Sequence, residues 1–168
     1  MTLEEVDLSG VADRVVRALR TEHPESQAQF IIERGMVAAC DKRLVEVVLG
    51  NLLENAWKFS SHTAEPRIEF SSTMVNGERV LLVRDNGAGF DPEYKSKLFA
   101  PFQRLHRQEE FPGTGVGLAT VSRIVHRHGG WITAESQPGK GATFYFTLSG
   151  VTVELAGSTA STVGSTAS

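Results

Sequence analysis

DKRLVEVVLGNLLENAWKFS (residues 41–60) and, six residues on, RIEFSSTMVNGERVLLVRDNGAGF (67–90) decide the fold class between them. The first stretch sets Leu44, Val45, Val48, Leu52 and Ala56 at helical spacing behind Asp41, a good N-cap residue. The second is two β runs, 67–74 and 80–84, around Asn76-Gly77, a strong hairpin signal. Working outward, Asp7 or Ser9 caps a first helix to about Arg20, with Val11, Val15, Val16 and Leu19 on one face, and His23-Pro24 ends it. Two short β runs follow at 29–32 and 36–39. Beyond the hairpin come a short helix (92–98), a polar connection without period, a helix (115–128), a strand (131–136), a Pro138-Gly139-Lys140-Gly141 turn and a last strand (143–148). Strands paired by hairpins and alternating with helices predict an α+β, two-layer sandwich, with a mixed, largely antiparallel sheet and helices on one face. A doubly wound nucleotide fold needs strands singly interleaved with helices, which this order lacks.

Composition narrows the function classes. The 168 residues suffice for one domain with a sizeable core. Residues 1–150 read as that domain and 151–168 as a tail, whose stretch GSTASTVGSTAS from Gly157 is too polar to order itself. The net charge of −3 offers no electrostatic reason to expect nucleic acid or a membrane surface as partner. No apolar run approaches the roughly 20 residues that span a bilayer, and MTLEEVDLSG has no secretory apolar core. A single cysteine, Cys40, excludes an intrachain disulfide framework. A cytoplasmic domain is the expectation.

Helix 41–59 also carries Asn51, Glu54, Asn55 and Lys58. At about 100° per residue these polar groups share one narrow stripe, facing either water or something polar held against the domain. Asn carbonyls are hard neutral donors suited to Mg²⁺, which completes its shell with phosphate and water. Lys58 can reach phosphate as a point charge. In RDNGAGF, Asp85 at a strand end accepts hydrogen bonds only, as the exocyclic amine of adenine requires, while Gly87 and Gly89 let backbone come close to a flat ligand; an ordinary tight turn is the plainer reading. GTGVGLA (113–119) opens a helix with glycines that suit a phosphate cradle. No GxxxxGK[ST] loop is present.

Together NLLENAWKF (51–59), DNGAGF (85–90), LFAPFQR (98–104) and GTGVGLA resemble, in order and spacing, the N, G1, F and G2 boxes of the sensor histidine kinase catalytic domain, most like phytochrome-like and PAS-linked sensors. The resemblance implies the Bergerat ATP-binding fold. It implies Asn55 as Mg²⁺ ligand with Asn51 supporting triphosphate and metal, Lys58 on phosphate, Asp85 on adenine and Phe59 as a wall beside the base. Gly87 and Gly89 match the G1 glycines. Gly113, Thr114, Gly115, Gly117 and Leu118 belong to the ATP-lid box, and Arg104, following Phe99 and Phe102, matches an arginine that approaches the γ-phosphate. Thr143 resembles the threonine of the last glycine box, near the aspartate. Glu54 resembles a residue proposed to assist the accepting histidine as a base, a solvated glutamate being the alternative.

None of His23, His62, His106, His126 and His128 has the H-E-x-[RK]-x-P surroundings of a phosphoacceptor, and His126 and His128, two apart on a helix, diverge too far to pair on a metal. The resemblance therefore implies the ATP-binding half of a kinase. Its histidine-bearing dimerisation domain lies in a longer parent or a separate chain, with a response regulator downstream and a monomer in isolation. Two alternatives stay open: a hydrolase or serine kinase of the same fold, and an idle nucleotide-binding module. Against the first, hydrolytic relatives carry E-x-x-x-N where this chain has Asn51. A lid over 104–116 is expected to be mobile without nucleotide.

Overall fold

The structure is a computed structural model that describes residues 1–91, 93, 98–99 and 117–154. The elements run β1 (Glu4–Asp7), α1 (Leu8–Glu22), β2 (Gln29–Ile32), β3 (Met36–Cys40), α2 (Lys42–Phe59), β4 (Arg67–Val75), β5 (Glu78–Asp85), α3 (Gly117–Arg127), β6 (Ile132–Ser136), β7 (Ala142–Phe146) and β8 (Thr152–Val153). Five strands form one sheet in the order β2-β4-β5-β7-β6, antiparallel except for β2 on β4. The helices pack on one face of it: α2 lies on β4 and β5, with α1 and α3 beside it. The architecture is the expected α+β sandwich.

Local chemistry places the ends. Asp7 caps α1 by accepting from the Gly10 amide at 3.0 Å, and Asp41 caps α2 by accepting from Leu44 at 3.2 Å. The β4–β5 turn takes Asn76 and Gly77 at φ 50° and 81°, both in the left-handed region that a two-residue hairpin needs. Alternation along the strands then sends Ile68, Phe70, Leu81, Val83, Phe144 and Phe146 to the helical face, where they bury against Val45, Val48, Leu49, Leu52 and Leu53. Fully burying such a side chain is worth about 1.5–3 kcal/mol, whereas the exposed ion pairs Arg14–Glu46 and Arg34–Asp13 contribute about 0–1 kcal/mol each. Packing, not surface charge, holds the layers together.

The structure corrects the expected pairing in three places. The runs 29–32 and 36–39 do not form a hairpin. β2 instead joins β4 in parallel, Phe30 opposite Ile68, across the α2 crossover, and β3 leaves for a second, three-stranded sheet of order β1-β3-β8. Both outer strands of that sheet were missed. Glu4–Asp7 pairs with Cys40 through Val37, and Thr152–Val153, in the stretch read as tail, pairs with Val37 and Met36. The folded chain therefore continues to β8. The expected helix 92–98, apart from Glu93 and Leu98, and the tail from residue 155 lie outside the described residues.

One long-range contact fixes α3 on α2. His128 is buried, its Nδ1 lying 2.9 Å from the Ile124 carbonyl and its Nε2 3.0 Å from the Asp41 amide. A carbonyl can only accept and an amide can only donate, so the ring is neutral, donating from Nδ1 and accepting at Nε2. His126 points elsewhere, its Nδ1 3.4 Å from the Ser122 hydroxyl. We expect His128→Ala to strand the Asp41 amide and lower the unfolding free energy by about 1–3 kcal/mol. Urea unfolding checks this; a midpoint unchanged from wild type contradicts it.

Candidate nucleotide-binding site

The site is built where three backbones meet. Phe59 ends α2, and its carbonyl oxygen accepts from the Ala88 amide at 2.9 Å. At Gly87 a Cβ would lie 2.2 Å from that same oxygen, and at Gly89, with φ 70°, it would lie 2.1 Å from the Gln137 carbonyl. Ser136 ties the third side: its hydroxyl donates to the Gly141 carbonyl at 2.6 Å and accepts from the Phe90 amide at 2.9 Å. The two loop glycines thus let backbone approach backbone, clamping residues 85–90 between α2 and the 136–141 turn. The sequence reading assigned that closeness to a ligand; the atoms that fill the space belong to the protein.

What the clamp presents is Asp85. Its carboxyl is 5% exposed, at the end of the central strand β5, and accepts from the Gly87 amide at 2.8 Å. Burial pushes its pKa up to about 6, against the opposing pull of the Gly87 and Ala142 amides. Asn86, by contrast, is spent on structure: it accepts from Arg67 and donates to the Glu65 carbonyl, both at 2.9 Å.

From the Phe59 end the polar stripe runs back along α2 through Lys58, Asn55, Glu54 and Asn51, about 12 Å of helix from Asn51 to Phe59. Asn51, Asn55, Lys58 and Phe59 are half-buried. Lys58 Nζ lies 3.8 Å from Glu54 Oε2, a loose i,i+4 pair that leaves the ammonium on the stripe. Asn51 donates from Nδ2 to the Val47 carbonyl at 2.9 Å, and Gly117, the first residue of α3, sits against its Oδ1. Leu118, next along, is buried in the core. The stripe is therefore bracketed by the Asp85 loop at one end and the start of α3 at the other. Of the F-box residues, Phe99 packs edge-on against Phe144 with centroids 6.2 Å apart. Phe102, Arg104, His106, Gly113, Thr114, Gly115 and the proposed lid lie outside the described residues.

Thr143 is near Asp85 but is not its cross-strand partner. It stands in register with Arg84, whose Nε donates to its hydroxyl at 3.3 Å, whereas Asp85 pairs with Ala142. Cross-strand partners share a face and successive residues alternate, so Thr143 points to the sheet face away from the helices. There it lines a cleft of about 480 Å³ with Arg84, Glu135 and Lys140, and Asp85 and Ala142 line the same cleft. The neighbours sequence reasoning missed are Ala142 and Gly141, where a Cβ would lie 2.1 Å from the Asp85 carbonyl. The Gly139-Lys140-Gly141 turn was the available signal.

The donor set suits a nucleotide with a hard cation. Among the described residues no cluster of three His, Cys, Asp or Glu side chains could hold a metal. A cation on the stripe would draw on neutral amide oxygen and the ligand's own phosphates, as Mg²⁺ commonly does. The glycine clamp keeps Asp85 largely out of water, where a hydrogen bond to its carboxyl is stronger than in solvent.

Residues 40–151 match the family of histidine kinase-, DNA gyrase B- and HSP90-like ATPases, and the chain belongs to that family. Its fold and motifs are those of the ATP-binding catalytic domain of histidine kinases. Cyanobacterial phytochrome A of Nostoc sp. is 48% identical over 98 residues, covering 58% of this chain and 13% of that protein. Phytochrome-like protein Cph1 of Synechocystis sp. is 35% identical over 142 residues, 84% of this chain and 19% of the relative. The chain thus spans less than a fifth of either relative. Among solved structures, a mycobacterial sensor histidine kinase, MprB, superposes with a TM-score of 0.71 at 25% identity, over 88% of this chain and 97% of the other.

A carboxyl whose folded pKa is raised costs stability when ionised. Asp85 contributes most below its ordinary value of 3.8, and the contribution is lost as pH rises through about 6. Asp85→Asn is therefore expected to raise the unfolding free energy at pH 8 by about 1–3 kcal/mol, a gain that fades as pH falls from 6 toward 4. Urea unfolding across that range measures it, and a pH-independent difference would refute the assignment.

Proposed function

We propose that this chain binds Mg·ATP between the α2 stripe and α3 and passes the γ-phosphoryl group to a histidine on a separate dimerisation domain. That domain belongs to a longer protein or a second chain, and a response regulator takes the phosphoryl group onward, in the cytoplasm. The observation that carries the reading is the buried Asp85 carboxyl held at the Phe59 end of a helix whose polar, half-buried stripe is Asn51, Asn55 and Lys58. In this reading Asp85 accepts the adenine amine and Phe59 walls the base. Asn55 is the metal ligand, Asn51 supports the phosphates, and Lys58 swings from Glu54 to a phosphate oxygen. Bound Mg²⁺ would supply charge neutralisation on the phosphates. Arg104 and the lid residues Gly113, Thr114 and Gly115 complete the phosphate surroundings, with Gly117 and Leu118 leading into α3. The remainder of the chemistry is positioning and charge stabilisation.

A carboxamide at position 51 favours transfer over hydrolysis, because no carboxylate stands one turn before Asn55 to orient water. Glu54 remains on the stripe as a candidate base for the accepting histidine. Incubation with Mg²⁺, radiolabelled ATP and the cognate histidine-bearing domain is expected to give an acid-labile label on that domain. Rapid ATP hydrolysis by the chain alone, with no label transferred, would overturn the proposal. Asp85→Asn should weaken Mg·ATP binding about 10- to 100-fold by calorimetry, since a hydrogen bond to a charged group is worth about 1.5–3 kcal/mol.

A further inference from the structure

Gly117 opens α3, yet its φ is not in the left-handed region, so backbone conformation does not demand glycine there. Space does. A Cβ at Gly117 would lie 2.6 Å from Asn51 Oδ1 and 3.3 Å from Asn51 Cγ, but an ordinary 3.9 Å from Asn51 Cβ. Among the described residues the obstruction is therefore the carboxamide. That carboxamide is not free to swing, because its Nδ2 donates to the Val47 carbonyl one turn back on α2. Moving Oδ1 aside breaks this bond.

The two ends of α3 are held differently. At the C-terminal end His128 joins the Ile124 carbonyl to the Asp41 amide, a hydrogen-bonded and buried tie. Between the ends Leu118, Val121, Ile124 and Val125 pack into the core. The N-terminal end rests on Asn51, a polar side chain at the edge of the stripe. The volume at position 51 therefore bears on how closely Gly117 approaches α2.

From this contact we infer that Asn51 is a positioning residue: its carboxamide is the spacer that sets the start of α3 over α2, and Gly117 is glycine to receive it. The inference rests on the nucleotide reading of the stripe only for its consequence. A ligand that draws the Asn51 carboxamide toward itself shifts the support under Gly117, so that occupancy on α2 is felt at the first residue of α3.

A four-member cycle of wild type, Gly117→Ala, Asn51→Ala and the double variant tests it, read by urea unfolding and by Mg·ATP titration. Gly117→Ala should lower the urea midpoint and weaken Mg·ATP binding at least tenfold in the wild-type background. With Asn51 already alanine, the remaining Cβ leaves room, so adding Gly117→Ala should leave the midpoint unchanged and alter affinity less than twofold. Equal effects of Gly117→Ala in both backgrounds overturn the inference, as does a harmless Gly117→Ala. If Asn51→Ala binds too weakly to titrate, the unfolding cycle decides alone. A wild-type chain that fails to bind Mg·ATP sinks the nucleotide reading, while coupling between positions 51 and 117 in the unfolding cycle still reports on the spacer.

Discussion

The carbonyl oxygen of Phe59, the last residue of α2, accepts from the Ala88 amide. That one bond joins the polar helix to the loop following the central strand. It is possible only because Gly87 has no side chain to keep the two backbones apart. Asp85 then takes its place from the loop, the Ser136–Gly141 turn closes against the loop from the other side, and Phe90 and Phe99 follow onto Phe144.

Function here is set against stability. A carboxyl buried at the strand end with two backbone amides for company is a poor choice for folding, and in the proposed function it is the group that accepts from the base. The hydrophobic layer between α2 and the sheet is large enough to carry that cost. The same division appears along α2, where Val45, Val48, Leu49, Leu52 and Leu53 bind the helix to the fold and leave the opposite flank free for chemistry.

What could be read in advance was local. Asp7 and Asp41 announce their helices, Asn76-Gly77 announces its hairpin, and the helical period separates the buried side of α2 from the stripe. Each of these is decided by residues within one or two turns of chain. Pairing over longer distance left no such trace. Nothing in QFII says that β2 will lie parallel to β4 instead of against β3, and the two residues of β8 are too short to show alternation. Thr143 illustrates the limit most clearly. Its motif puts it near Asp85, but in a strand one residue is the difference between opposite faces. Register, which only the neighbouring strand supplies, gave the place beside Asp85 to Ala142. His128 was legible as a residue without the surroundings of a phosphoacceptor, and its part in joining α2 to α3 depends on an amide 87 positions away.

The three-stranded sheet has a consequence of a different kind. β1 and β8 both run antiparallel to β3, on its two sides, so they run in the same direction as each other. Tension between Glu4 and Val153 would pull the outer strands along their own axes in opposite senses, with β3 between them. The ladder would be loaded in shear, all its hydrogen bonds sharing the force at once, where a hairpin pulled from its open end would unzip one bond at a time. Force applied along β1 and β8 therefore passes through β3 toward Asp41, the cap of the helix that bears the stripe.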